Sequence, residues 1–150
     1  MKGESLLPIR KIRYLLASLL ALSLTAGSAC NRPPIARTWV NTQAKMHEVS
    51  KIEIHYNCGE KPIKAYDPLS AALWIIKTRV RCARTDCTWG RAKGFQHKDG
   101  SLEATYSTFS ALRNVYIVDE GGLIRVAVQI KYRDSKRPPE AMTYYLQPEE

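Results

Sequence analysis

The chain lacks the marks by which most enzymes announce themselves. It has no GxSxG, the setting of a serine nucleophile, and no HExxH, which puts two histidines on one helix face for zinc. Its three histidines, His47, His55 and His97, fall on three separate segments and show no ligand-like spacing. Its four cysteines, Cys30, Cys58, Cys82 and Cys87, include no CxxC pair, the usual redox motif. A structural zinc site needs four ligands, typically from two such pairs, and the spacing does not supply them. Asp119 and Glu120 are adjacent carboxylates at a strand end, where they face water. These absences predict a protein that is not an enzyme, with no catalytic residues, no metal and no cofactor. There is also no internal repeat and no low-complexity tract.

Long apolar runs are scarce too. The main uncharged run, Tyr14 to Ala29, has 16 residues, short of the roughly 20 that span a bilayer. Lys2, Arg10, Lys11 and Arg13 precede it, and Gly27-Ser28-Ala29 lead into Cys30. A basic region, an apolar stretch and small residues make a secretory signal peptide, residues 1–29. Ordinary cleavage has Gly27 and Ala29, or Ala26 and Ser28, to use. Alternatively Cys30 becomes a lipidated N-terminus, with Gly27 at the position where a lipobox carries Leu. In either case Asn31-Arg32-Pro33-Pro34 makes 30–36 a short stiff tether, because Pro restricts the backbone. The expected location is outside the cytoplasm: the bacterial periplasm, or lipid-anchored to a membrane. Thiols there tend to pair. Lipidation of Cys30 leaves three cysteines and one thiol over, while an unmodified Cys30 allows Cys58 as its partner.

Acidic residues are few. The chain carries 23 Lys and Arg against 14 Asp and Glu. Without the four cations and one acid of residues 1–29, the balance is 19 against 13, a net charge of +6. Such a balance suits anionic partners, or serves solubility alone. In an exported protein the expected partners are anionic envelope lipid or glycan, or another envelope protein. Nucleic acid is not expected there.

What the sequence does have is alternation. In 123–134, Ile124, Val126, Val128, Ile130 and Tyr132 share one face and Arg125, Gln129 and Lys131 the other. A half-buried antiparallel strand requires this pattern, since successive side chains point to opposite faces of the sheet. In 73–82 the pattern recurs, with Trp74, Ile76, Thr78, Val80 and Cys82 opposite Lys77, Arg79 and Arg81. Further strands are read at 37–41, 50–56, 87–95, 101–107, 113–119 and 143–147. Asp99-Gly100 and Glu120-Gly121-Gly122 mark hairpins. Only 43–50 reads as helical, for a turn or two. The expectation is one all-β domain, 37–147: an antiparallel up-and-down barrel of about eight strands, with a β-sandwich as the alternative. An exported monomer suits a barrel, which closes its own edges.

Four motifs occur in order: Thr38-Trp39-Val40-Asn41, Lys51-Ile52-Glu53-Ile54, Cys82-Ala83-Arg84-Thr85-Asp86-Cys87-Thr88-Trp89-Gly90, and Leu102-Glu103-Ala104-Thr105-Tyr106. This TWxN…CxxxDCxWG order resembles a group of small exported bacterial proteins, many of them lipoproteins, with no assigned activity. The resemblance covers most of 36–147, and the stretch from about Tyr56 to Leu73, with Cys58, departs from it as an insertion. Trp39 near the start of the first strand is also similar to the early Trp of lipocalin-like and avidin-like barrels, where it closes the floor. That likeness concerns the fold and implies no particular ligand.

Cys82 and Cys87 flank the turn between two strands and are expected to form a disulfide across the hairpin. Asp86 is expected to fix that turn by bonding its backbone. Lys77, Arg79, Arg81, Arg84, Arg91 and Lys93 make a basic face on the same two strands. It is either an anion-binding face or a solvated sheet face. Trp39, Trp74, Tyr106, Tyr132 and Tyr144 are expected in the barrel interior, filling it or lining a cavity. Three functions remain: a non-catalytic envelope binding or interaction module with a basic outer face, a carrier of a small hydrophobic ligand, or a protein-interaction or inhibitor barrel working through loops 57–72 and 133–141. A carrier requires a pocket open at one end and lined by aromatics.

Overall fold

The structure, a computed structural model, describes residues 30–59, 69 and 72–150. Eight strands follow one another: β1 Thr38–Val40, β2 Val49–Tyr56, β3 Trp74–Arg81, β4 Asp86–Gln96, β5 Leu102–Ser107, β6 Ala111–Asp119, β7 Ile124–Tyr132 and β8 Glu140–Pro148. Each pairs antiparallel with the next. β1 also pairs with β8, through Trp39↔Pro148 and Val40↔Gln147, and this closes the barrel. The architecture is therefore the up-and-down barrel and not the sandwich. The compact unit that holds it spans Arg32–Glu150.

The alternation read from the sequence becomes an inner and an outer wall. On β3, Trp74, Ile76, Thr78 and Val80 are buried between partly exposed neighbours. On β7, Ile124, Val126, Val128 and Ile130 are buried in the same way. Trp39, Trp74, Tyr106 and Tyr144 are buried in the core, while Tyr132 is half-buried and packs against it. Thr78, a fully buried polar residue, is satisfied by the Tyr106 hydroxyl at 2.9 Å, and that hydroxyl donates to the Ile76 carbonyl, also at 2.9 Å. Such pairing is what makes a buried hydroxyl tolerable.

The segment 43–50 is not helical. It forms turns and then enters β2 at Val49. His47 takes a left-handed φ of 68°, which a helix does not admit. Its N–H donates to the Arg81 carbonyl and the Arg81 N–H to the Glu48 carbonyl, so the segment already follows the end of β3.

Connections 41–48, 82–85, 108–110 and 133–139 lie at one end of the barrel, the mouth. Connections 97–101 and 120–123 lie at the other, the floor, where β2 also ends at Tyr56 and β3 begins at Trp74. Of the stretch 30–36, Ile35 packs into the core, and its carbonyl accepts the Trp39 indole N–H at 3.0 Å. Residues 60–68, 70 and 71, most of the expected interaction loop 57–72, lie outside the described residues.

Candidate functional site

The packed interior gives way to a cavity at the mouth. It holds about 470 Å³, within the range of small-molecule sites, and draws residues from all four mouth-end hairpins, among them His47, Trp89, Arg113, Tyr132 and Glu140.

Trp89 reaches it through a break in register. Thr78 pairs with Gly90 and Arg79 with Thr88, so Trp89 is the extra residue of a β-bulge. Gly90 adopts a φ of 95°, a conformation that glycine accepts and residues with a Cβ resist. The extra residue moves Trp89 to the inner wall, with Ala92 and Gly94. There it packs against the core and meets the Tyr106 ring edge-on at 5.9 Å. Strict alternation would have placed Trp89 outside with Arg91 and Lys93.

Arg113 is the less expected lining residue. Its register partners, Tyr106 on β5 and Ile130 on β7, are both buried inside the barrel. Residues directly opposite share a face, so Arg113 points inward too. Its guanidinium lies 5.2 Å from the centre of the Trp89 ring and donates to the Thr108 hydroxyl at 3.2 Å. Among the described residues it has no carboxylate partner. Following the inward series Ala111, Arg113, Val115, Ile117 along β6 would have exposed this cation in the sequence.

The opposite wall is Tyr132. Its hydroxyl donates to Glu140 Oε1 at 2.8 Å, and the Arg137 guanidinium lies 3.5 Å from its ring centre. Burial first, and the bond to Glu140 second, hold its phenol above the ordinary value, so it stays protonated. Arg137 also approaches Glu140 at 3.8 Å. Each aromatic wall thus has a guanidinium over it, but only Arg137 has a carboxylate close by.

Cys82 and Cys87 form the expected disulfide, with Cα atoms 5.8 Å apart. They are diagonal and not directly opposed: Cys87 pairs with Val80, and the Cys82 N–H donates to the Thr85 carbonyl across the turn. Asp86 does not bond the turn backbone as expected. It forms an ion pair with Arg81, its register partner, at 3.2 Å. Cys30 and Cys58 are both disulfide-bonded as well, and no described cysteine is free.

Of the basic face, Lys77 stands opposite Arg91 and Lys93 opposite Ile75, so β3 and β4 bring five of the six cations together. Arg84 sits apart, in the mouth-end turn. Glu53 holds both Lys77, at 3.5 Å, and Arg79, at 3.0 Å. No three His, Cys, Asp or Glu residues among those described cluster as metal ligands.

Compared with protein-family models, with curated proteins and with solved structures, the chain matches none of them.

Proposed function

We propose that this is a non-catalytic binding protein whose barrel mouth takes a small molecule with an apolar or aromatic body and an anionic group. The observation that carries the reading is Arg113. Arg113 is a half-buried cation turned into the barrel mouth with no carboxylate partner among the described residues, and partial loss of water there favours a counter-charge. Trp89 and Tyr132 offer flat apolar walls, and Arg113 offers a fork of donors suited to a carboxylate, sulfonate or phosphate. The carrier reading asks for such a pocket, open at one end and lined by aromatics. Three cations of the outer face, Lys77, Arg79 and Arg81, already hold carboxylates. That face acts chiefly as a solvated wall.

A second reading has its own support. A groove of about 570 Å³ flanks the 133–139 connection on its outer side, lined by Leu112, Gln129, Pro139 and Ala141 among others. It suits a protein partner that grips that loop.

Export to an oxidising compartment fits the paired cysteines. With Cys82 bound to Cys87, the partner left for Cys30 is Cys58, and that link occupies the thiol that lipidation would need. Non-reducing peptide mapping of the envelope fraction should recover a Cys30–Cys58 peptide, and a diacylglycerol on Cys30 contradicts this part.

The binding reading is tested with anilinonaphthalene sulfonate, an anionic aromatic probe, by calorimetry. Saturable binding at one site is expected, weakened about tenfold or more in Arg113→Gln by loss of a charge-assisted contact. Equal affinity in Arg113→Gln and the unaltered protein contradicts it.

A further inference from the structure

Phe109 is 94% exposed, at the tip of the three-residue turn between β5 and β6. An apolar side chain so placed on a floppy loop would mean little. This turn is held. The Thr108 N–H donates to the Ala111 carbonyl, and the Ala111 N–H returns to the Thr108 hydroxyl. Arg133 reaches across from the end of β7, donating to the Thr108 carbonyl at 2.8 Å and to the Ser107 hydroxyl at 3.0 Å. The Arg133 N–H also bonds the Ser110 carbonyl. The ring is therefore presented to solvent by a backbone fixed in advance, and ordering it on contact costs little.

A second apolar tip stands on the other side of the mouth. Met46, 56% exposed, precedes the left-handed His47. His47 and Ser110, the residues that follow the two tips, both line the mouth cavity. The two tips thus flank one opening.

The charge around them is one-sided. The four mouth-end connections carry Lys45, Arg84, Arg133, Lys136 and Arg137 against Glu48 and Asp134, a net charge of +3. Both acids are turned back on their own loops: Glu48 accepts from the Lys45 N–H and Asp134 from the Lys136 N–H. At the floor, the hairpins 97–101 and 120–123 carry Lys98 against Asp99 and Glu120.

We propose that the mouth rim docks on an anionic phospholipid surface, with Phe109 and Met46 entering the interface and the surrounding cations facing the headgroups. Apolar tips ringed by Lys and Arg match the two attractions such a surface offers, burial of apolar area and electrostatic pull. This docking goes beyond the cavity's ligand and stands or falls separately from it.

The test is co-sedimentation of the chain from Cys30 onward, which holds the whole compact barrel unit, with vesicles of phosphatidylglycerol and phosphatidylethanolamine, and with vesicles of phosphatidylcholine alone. Binding is expected to the first and not the second, and to fall as salt rises. Phe109→Ser should weaken it about tenfold, from the apolar area no longer buried. Leu123→Ser, at the floor, should leave it unchanged. Both side chains are solvent-exposed, and circular dichroism confirms that each variant folds. The proposal is overturned by no binding to the phosphatidylglycerol vesicles, by equal binding of Phe109→Ser, or by equal loss in Leu123→Ser. Capture of an acidic protein by the same rim, without vesicle binding, also overturns it.

Discussion

Gly94 stands opposite Trp74 in the β3–β4 pair. A Cβ there would come within 2.7 Å of the Trp74 Cβ and 3.0 Å of Ile76 Cδ1. Trp74 is itself 1% exposed and has no room to yield. Gly94→Ala should therefore destabilise the barrel by about 1–3 kcal/mol, the range for overpacking a core, read as a lower urea midpoint. Tyr106 gives a pH-dependent effect. Burial pushes its pKa from 10.0 up to about 12. A group whose folded-state pKa is the higher one keeps more protons when folded, so stability falls as pH rises. Its contribution is whole below pH 10 and is lost as the pH climbs towards 12. Tyr106→Phe should flatten the alkaline decline in a series of urea titrations, and an unchanged decline contradicts the assignment. The inward set of aromatics was legible in the sequence because alternation on β3, β5 and β7 is unbroken. Trp89 was not, because it is itself the extra residue of the bulge beside Gly90, which inverts the faces. Arg113 was legible in principle, but a cation in an apolar series reads first as an outward residue.

Among the elements, the β3–β4 hairpin does most to shape the mouth. Its bulge sets Trp89, its turn carries Arg84, and its disulfide ties the two strands where they leave the barrel. Replacing both cysteines, Cys82→Ser with Cys87→Ser, should lower stability by about 2 kcal/mol, the chain-entropy value for so short a loop. Chemical denaturation of the double variant against the oxidised parent checks this, and an equal midpoint contradicts it. Strand bounds came close to those expected, since polar and glycine-rich turns punctuate the pattern. The segment 43–50 failed because its spacing of apolar residues, Met46 and Val49, fits a helix as well as a turn. The deciding contact, His47 to the Arg81 carbonyl, is long-range and invisible to local pattern.

At the scale of the whole molecule, closure is unequal. β6 and β7 share nine register pairs, whereas β1 and β8 share two. The seam gains the Glu149 N–H to the Thr38 carbonyl and an ion pair between Lys51 and Glu149, but an exposed ion pair adds little. Amide exchange should therefore open the β1–β8 seam first, with Val40 exchanging faster than Val126 or Val128. Uniform protection around the barrel contradicts this. Eight strands in a meander were legible from spacing and turn chemistry. That a cavity opens at the mouth was not, because it depends on how volumes from several strands sum at one height. The charge balance left an anionic partner and plain solubility equally open. The proposed anion site rests on the fold, since Lys77, Arg79 and Arg81 of the outer face are held by carboxylates and Arg113 at the mouth has none among the described residues.

The most direct measurement is amide and side-chain chemical-shift mapping of the protein from Cys30 onward on titration with anilinonaphthalene sulfonate. For the mouth site, the expected shifts centre on the Trp89 indole, Tyr132 and the Arg113 guanidinium, and in Arg113→Gln those of Trp89 and Tyr132 need a probe concentration about tenfold higher or more. Shifts centred on Lys77, Arg91 and Lys93 of the outer face, with the Trp89 indole unmoved, would contradict it.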